Sequence, residues 1–385
     1  MRPMRYPWKF SVFLMVYYMA NALFQGYLSL YYIDCGFDSA QIGAIFACVA
    51  LISIAAQPFW GIRSDRAKSK NRVLNGLALA SGAIAGAFLF VKSFAALMLL
   101  ACAFAFFYTS LQPLGDAVVL SALGDRPFGP ARLAGGMSYA VVSLFYGMSM
   151  AKSGSPKISV ILIAIACFGM IPAVRLIPDT PGVQSGGGRR MSFAVLIKDR
   201  ELMRLMLFLL PMQMTMGYFY TFFSPQFLDL PGSNGTKLGW CYFIAAASEI
   251  PYLLLSDRLY ERFGAGRLMC VSAVVLSVRW LILALTNNST AVMLSQILHG
   301  WGFIVMCVSM AKHIQSSVPR ELQSSGQMLL AMVSYGFARA AGNLAGGVLA
   351  DAFGRQNVFF LSAGVCVHAL ILFTPGFLKK TSERK

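Results

Sequence analysis

The stretch Gln41–Arg72, QIGAIFACVALISIAAQPFWGIRSDRAKSKNR, contains the two kinds of segment from which the whole chain is built. Its first part is an apolar run of about 20 residues, which is long enough to cross a hydrocarbon core about 30 Å thick. Its second part, from Arg63 onward, is short, polar and rich in Arg and Lys. This order is typical of a transmembrane helix that ends on the cytoplasmic side of a membrane.

Similar apolar runs recur from one end of the chain to the other. Of the 385 residues, 57% are hydrophobic and 12% are charged, whereas about 25% of the residues in a soluble domain are charged. We therefore predict an all-α polytopic membrane protein that resides in a lipid bilayer. The predicted transmembrane helices are twelve, at about residues 10–33, 40–61, 73–91, 95–122, 133–151, 158–177, 203–226, 238–256, 268–286, 291–311, 323–350 and 356–376.

The basic residues indicate the orientation of these helices. Most of the 32 Lys and Arg residues lie at the two ends of the chain and in every second connection between predicted helices. The opposite connections hold Lys92, Lys152, Lys157, Lys237 and Arg355. By the positive-inside rule both termini lie in the cytoplasm, and we expect the protein in the plasma membrane, which in bacteria is the inner membrane. The net charge of +17 therefore requires no nucleic-acid partner.

Several functional classes lack support in the sequence. The eight cysteines lie almost all within predicted helices and form no CxxC pair, so neither a disulfide nor a metal site is indicated. The sequence contains no HExxH motif, no nucleophile motif and no Walker loop. We therefore predict neither an enzyme nor an ATP-driven pump, and we expect a monomer without a cofactor.

The chain divides into two similar halves. The longest polar segment, Pro178–Glu201, is rich in Gly, Pro and basic residues and lies between the sixth and seventh predicted helices. The tripeptide SDR occurs at Ser64–Arg66 and again at Ser256–Arg258, each time directly after an apolar span. A duplicated bundle predicts this repetition. We predict an N-terminal six-helix bundle over 1–178, a cytoplasmic linker over 179–202 and a C-terminal six-helix bundle over 203–385.

The segment GIRSDRAKSKNR, which begins at Gly61, resembles the signature between the second and third helices of major facilitator superfamily transporters. The final glycine of that signature is missing, and Ala67–Lys70 take its place. The resemblance implies the major facilitator fold, with two pseudo-symmetric six-helix bundles. It also implies that the acidic residue of the motif pairs with helix dipoles and with an arginine of the neighbouring bundle, which locks one conformation. The alternative is that these are solvated loop charges. The gating candidates are Asp65, Arg66, Asp257 and Arg258.

Five ionisable residues lie well inside predicted transmembrane helices: Asp116, Glu249, Arg279, His299 and Arg339. Each would cost about 2.5 kcal/mol or more if it faced lipid without a partner. We therefore expect each of them to face the interior of a bundle.

The first half of the chain contains a candidate substrate site. The segments PLGDAV and FGPARLAGGMSYA resemble the fourth and fifth helices of the lactose permease and of the related oligosaccharide:proton and nucleoside:proton symporters. The resemblance implies that Asp116 and Arg132 hold sugar hydroxyls, and that Tyr139 stacks on the sugar where the permease has a tryptophan. A carboxylate accepts hydrogen bonds, a guanidinium donates them and an aromatic ring covers an apolar face. The alternative is a structural salt bridge between adjacent helices.

The second half contains a candidate site for proton coupling. The segments AASEIPYLLL, VLSVRWLI and QILHGWGF match Glu249, Arg279 and His299 to a glutamate, an arginine and a histidine of the permease. The resemblance implies that this group links sugar binding to proton movement, so Glu249 is also a candidate for binding substrate. The match is incomplete, because Gly302 stands where the permease has its coupling glutamate and Gln296 where it has a lysine. Glu249 is therefore our candidate for the coupling proton.

These observations predict a secondary active transporter that takes up a sugar, oligosaccharide or nucleoside together with protons, by alternating access. The alternative is an efflux transporter of the same fold for drugs or metabolites, which the 21 Met and 30 Phe residues favour. The hydrogen-bonding residues Asp116, Arg132 and Glu249 oppose that alternative. For His299 alone, an interior hydrogen-bonded histidine without a function is the competing interpretation. We expect Arg339 to contact either an anionic group of the substrate or backbone carbonyls.

Overall fold

The computed structural model describes residues 7–182, 194–319 and 322–382. Within these ranges every regular element is a helix, as the sequence predicted. The α-helices are α1 (Val12–Asp34), α2 (Ser39–Asp65), α3 (Lys70–Ala87), α4 (Phe94–Tyr108), α5 (Leu111–Leu123), α6 (Gly129–Ser153), α7 (Lys157–Arg175), α8 (Ala194–Lys198), α9 (Arg200–Leu228), α10 (Gly235–Leu285), α11 (Ser289–Ser295), α12 (Val305–Ser317), α13 (Gln323–Ala331), α14 (Arg339–Phe353) and α15 (Arg355–Ser382). Short 3-10 helices lie at Trp8–Ser11 and Phe88–Phe90, and π-helical segments lie at Gly300–Ile304 and Met332–Ala338.

Among the described residues, nine helical segments are long and apolar enough to cross a membrane. One of them is α10, whose 51 residues include Gly264 with a φ of 71°. Glycine adopts this left-handed conformation without steric cost, so α10 consists of two helices joined at a kink. If α10 is counted as two helices, and α1 and the segment α13–α14 are added, the nine segments become twelve, which is consistent with the twelve predicted helices.

The chain forms two compact units. Unit 1 comprises the described residues of Met1–Phe37 and Leu51–Gly188, and unit 2 those of Asp38–Ala50 and Arg189–Lys385. The helix α2 therefore contributes its first part to unit 2 and its second part to unit 1. The domain boundaries 1–178, 179–202 and 203–385 stay a prediction, and residues 183–193 of the predicted linker lie outside the described residues.

Unit 1 is built around the aromatic side chains of α1. The Tyr27 hydroxyl donates a hydrogen bond to the Ser143 carbonyl of α6 at 2.7 Å. The Tyr18 ring packs against Gly135, where a Cβ atom would overlap the ring. Tyrosine fills the space between helices while its hydroxyl finds a polar partner, which explains why the tyrosine-rich helix α1 is largely buried.

Unit 2 contains close approaches between helices at glycine residues. Gly217 of α9 lies against the backbone of Arg339 at the start of α14, and Gly342 lies against the backbone of Met214. The absence of a side chain at these glycines allows α9 and α14 to come closer than larger residues permit. This packing places the start of α14 beside the aromatic middle of α9.

Candidate functional site

Three polar side chains meet inside unit 2. The His299 Nε2 atom lies 3.2 Å from the Tyr220 hydroxyl and 3.5 Å from the Glu249 Oε1 atom. His299 is buried, whereas the Glu249 side chain is 27% exposed. The structure thus brings together the glutamate and the histidine that the sequence singled out, and it adds Tyr220 of α9.

A close contact between backbones sets the distance between Glu249 and His299. Gly300 lies against the Ser248 carbonyl, and its N–H group donates to the Ser248 hydroxyl at 2.8 Å. Ser248 precedes Glu249, and Gly300 follows His299. Because glycine allows the two backbones to touch here, the neighbouring carboxylate and imidazole reach each other.

One π-helical segment adjoins His299, and the other adjoins Arg339, whose guanidinium carbon lies 4.8 Å from the Tyr220 ring centroid. Gly300–Ile304 begins directly after His299, and Met332–Ala338 ends directly before Arg339. A π-helical turn adds one residue to the helical repeat, so it changes the direction of the following side chains relative to those before it. Such segments occur frequently at functional sites. Their position supports this cluster as the candidate site of unit 2.

Arg279 is fully buried next to this cluster. Its guanidinium lies 4.1 Å from the Phe219 ring centroid and 5.0 Å from that of Trp280, and its Nη2 atom donates to the Gln296 Oε1 atom at 2.5 Å. The Nε and Nη1 atoms have no hydrogen-bond partner among the described residues. Gln296, which replaces a lysine of the permease, thus provides a neutral acceptor for a buried arginine.

Arg339 lies among aromatic rings. Its guanidinium carbon is 4.8 Å from the centroids of both Tyr220 and Tyr335, and 5.9 Å from that of Phe303. Its Nε atom is buried without a hydrogen-bond partner among the described residues. The interaction of a cation with the ring faces stabilises the charge in this partly buried position.

Packing around Gly302 leaves little room for a side chain at this position. A Cβ atom on Gly302 would lie 2.8 Å from a methyl group of Leu276. The Gly302 carbonyl accepts a hydrogen bond from the Ser272 hydroxyl of α10. A longer side chain at this position would therefore displace the Leu276 side chain of α10.

In unit 1, the candidate residues surround Tyr18. Gln112 of α5 donates to the Tyr18 hydroxyl at 2.8 Å and is also hydrogen-bonded to Asp116. The Arg132 guanidinium lies 4.5 Å from the Tyr18 ring centroid. Tyr17 is within electrostatic range of both Asp116 and Arg132. The structure therefore places Asp116 and Arg132 in one cluster, with two tyrosines of α1 and Gln112 as further members.

Two details of this cluster bear on substrate binding. The Asp116 Oδ1 atom is buried without a hydrogen-bond partner among the described residues. Tyr139 lies on α6 two helical turns after Arg132, and therefore on the same side of that helix. Tyr139 is half-buried, which leaves part of its ring accessible. Its stacking on a sugar stays a prediction.

The acidic gating candidates, Asp65 and Asp257, form ion pairs inside their own units. Asp65 pairs with Lys70 at 2.7 Å, and Asp257 pairs with Lys312 of α12. The arginines of the two motifs, Arg66 and Arg258, are exposed. Sequence reasoning expected an arginine of the neighbouring bundle as the partner of Asp65, whereas the pair seen here joins it to a lysine five residues later. The gating role stays a prediction.

The aromatic residues of the two clusters and the amide residue Gln112 were not identified as candidate site residues in the sequence analysis. In an apolar helix Tyr220, Phe303 and Tyr335 resemble ordinary core residues, and a phenolic hydroxyl carries no charge that would draw attention. The same holds for Tyr18 and Gln112. The signal available in the sequence was the run MTMGYFYTFFSPQF, which combines tyrosines with other polar residues inside a predicted span. Among the described residues, no group of three or more His, Cys, Asp or Glu is arranged to hold a metal ion.

Comparison with known proteins agrees with this architecture. The maltose permease of Geobacillus stearothermophilus is 24% identical, over 94% of this chain and 92% of the permease. The putative nucleoside transporter YegT of Escherichia coli (strain K12) is 22% identical, over 82% of this chain and 78% of that protein. The crystal structure of the nucleoside transporter NupG superposes with a TM-score of 0.85 at 17% identity, covering 97% of this chain and 99% of NupG.

The structural likeness shows the fold, which this chain shares with NupG. The model of the MFS_1 like family matches residues 7–361, which is most of the chain. The protein therefore belongs to the MFS_1-like family of the major facilitator superfamily of membrane transporters.

Proposed function

We propose that this transporter takes up a sugar, an oligosaccharide or a nucleoside together with protons, by alternating access. The observation that carries the proposal is the contact of His299 with both Glu249 and Tyr220 inside unit 2. A carboxylate and an imidazole within 3.5 Å of each other form a pair that can gain and lose a proton. The maltose permease and the putative nucleoside transporter among the relatives support the substrate class.

Glu249 is the proton acceptor in this proposal. Its side chain is 27% exposed, so a proton can reach it, whereas His299 is buried. Protonation of Glu249 removes the negative charge that faces His299. The contact between the helices of Glu249, His299 and Tyr220 then changes in strength, which is the kind of event that biases a two-state transporter. Arg279 keeps a positive charge near this pair.

The cluster around Asp116 is the proposed site for the hydroxyl groups of the solute. The Asp116 Oδ1 atom is a buried acceptor without a hydrogen-bond donor among the described residues. An unsatisfied buried acceptor costs about 1–3 kcal/mol, which a solute hydroxyl would remove by donating to it. Arg132 supplies donors, and the ring of Tyr139 offers an apolar face. These are the groups that a sugar or a nucleoside requires.

We further propose that the protein acts as a monomer in the bacterial plasma membrane, with both termini in the cytoplasm. The distribution of Lys and Arg along the chain supports this orientation. In this arrangement the two SDR motifs lie on the cytoplasmic side. Asp65 and Asp257 would then act as gating residues of the six-helix bundles 1–178 and 203–385, joined by the linker 179–202.

Solute counterflow in proteoliposomes tests the substrate class without reference to protons. Vesicles loaded with one unlabelled sugar or nucleoside should accumulate the same compound in labelled form. The variant Asp116→Asn should abolish this exchange, whereas Asp125→Asn, a matched change at an exposed position, should leave it intact. Exchange that survives in Asp116→Asn would refute the assigned site. Exchange of hydrophobic cations, but of no sugar or nucleoside, would favour the efflux alternative.

A further inference from the structure

Two arginines inside unit 2 form no ion pair within the described part of the chain. The ion pairs found between described residues include neither Arg279 nor Arg339. The Nε and Nη1 atoms of Arg279 and the Nε atom of Arg339 are also buried without an acceptor in the described part of the chain. Charged groups within membrane proteins are normally paired, because an uncompensated buried charge is strongly unfavourable.

The positive charges of both arginines converge on the same place. Arg279 and Arg339 are both within electrostatic range of His299 and of Tyr220. Among the described residues, the carboxylate in contact with this cluster is that of Glu249, 3.5 Å from His299. One carboxylate against two guanidiniums leaves the cluster with a net positive charge. This local charge attracts an anion from water more strongly than a neutral solute.

The surroundings of Arg339 suit it to bind an anion directly. Tyr220 and Tyr335 approach its guanidinium at 4.8 Å. Tyr335 is 40% exposed and Arg339 is half-buried, so the group is accessible. Aromatic rings that stack on a guanidinium leave its N–H groups free, because these lie in the guanidinium plane. A carboxylate can therefore accept hydrogen bonds from Arg339 without displacing the rings.

We propose that Arg339, with the fully buried Arg279 nearby, forms a binding site for one anionic group in unit 2. The anionic group is the carboxylate of an acidic sugar, or it is a free inorganic anion such as chloride. The first case rests on the proposed function and narrows the proposed substrate class to sugar acids. In both cases Arg339 contacts the anion, and Arg279 contributes an attractive positive charge.

Ligand-induced thermal stabilisation of the full-length protein in detergent tests this proposal. D-glucuronate and D-glucose form a matched pair, because they differ in one carboxylate. Acetate and chloride test for an anion that carries no sugar. We expect D-glucuronate to raise the unfolding temperature at lower concentration than D-glucose does. In Arg339→Gln the apparent affinity for the anion should fall at least about tenfold. Arg267→Gln, which removes an exposed arginine of α10, should bind like the unchanged protein.

The outcomes distinguish a sugar carboxylate from a free inorganic anion as the ligand, and failure of the anion site from failure of the proposed sugar transport. Stabilisation by acetate and chloride that depends on Arg339, with no further gain from D-glucuronate, would identify a free inorganic anion as the ligand. Equal stabilisation by D-glucuronate and D-glucose would refute the anion site while still supporting a sugar transporter. No stabilisation by any anion, or stabilisation unchanged in Arg339→Gln, would also refute it. If Arg339→Gln does not fold, Arg339→Lys should bind the carboxylate several-fold more weakly, since it loses the planar fork of donors, and unchanged binding would refute the site.

Discussion

Replacing Gly300 by alanine should separate Glu249 from His299 and destabilise unit 2. A Cβ atom on residue 300 would overlap the Ser248 carbonyl and lie 2.8 Å from the Glu249 nitrogen. These neighbours are backbone atoms, which cannot rotate away as a flexible side chain can. The segment after His299 must therefore move outward from α10, and the hydrogen bond from the Gly300 N–H group to the Ser248 hydroxyl must lengthen.

The expected loss of stability follows from three contributions. Overpacking of a close contact costs about 1–3 kcal/mol. Loss of one buried hydrogen bond costs about 1 kcal/mol. Alanine gains up to about 1 kcal/mol over glycine in a helix, which opposes the other two. The net destabilisation is therefore about 1–3 kcal/mol. The loss of transport should be larger, because Glu249 and His299 are moved apart.

Thermal unfolding and solute uptake, measured on the same preparation, check this prediction. The matched control is Gly364→Ala on α15, where a Cβ atom would meet nothing within 4 Å. That variant should be as stable as the unchanged protein or slightly more stable. An unfolding temperature and an uptake rate for Gly300→Ala equal to those of Gly364→Ala would refute the account of how Glu249 and His299 are brought together.

Three further variants test other contacts. Tyr220→Phe removes the hydroxyl that lies 3.2 Å from the His299 Nε2 atom. This loss should lower the free energy of unfolding by about 0.5–1.5 kcal/mol and slow uptake. Unchanged unfolding and uptake would contradict a role for this contact. Gly302→Ala should lower the unfolding temperature because its Cβ atom meets Leu276; a rise would show that the space is larger than described. Lys312→Ala breaks the pair with the exposed Asp257 and should change the free energy of unfolding by at most about 1 kcal/mol. Cysteine accessibility measures the ratio of inward-open to outward-open protein in this variant. A change in that ratio would support gating by this pair.

Composition and charge determined much of what could be predicted. Apolar runs of sufficient length identify membrane helices because the bilayer imposes a minimum length. An ionisable residue in such a run is conspicuous, because it is costly there. For this reason Glu249 and His299 stood out in the sequence, and the structure places them within 3.5 Å of each other.

The remaining features depend on packing that a single sequence does not reveal. The π-helical segments next to His299 and Arg339 were not anticipated in the sequence analysis. The sequence places glycine at position 302, and the structure adds that a Cβ atom there would meet the Leu276 side chain. The rings around Arg339 were not singled out in the sequence analysis, because contact with a guanidinium leaves no pattern in the order of residues.

External pH in a lightly buffered suspension of proteoliposomes tests the central claim of proton-coupled uptake most directly. Addition of a solute identified by counterflow should make the medium more alkaline, because protons enter with the solute. Glu249→Gln should abolish the change in pH while solute exchange persists, and Glu261→Gln, which alters an exposed glutamate of α10, should behave like the unchanged protein. Solute entry without any change in pH, or alkalinisation that survives in Glu249→Gln, would contradict the proposed coupling at Glu249.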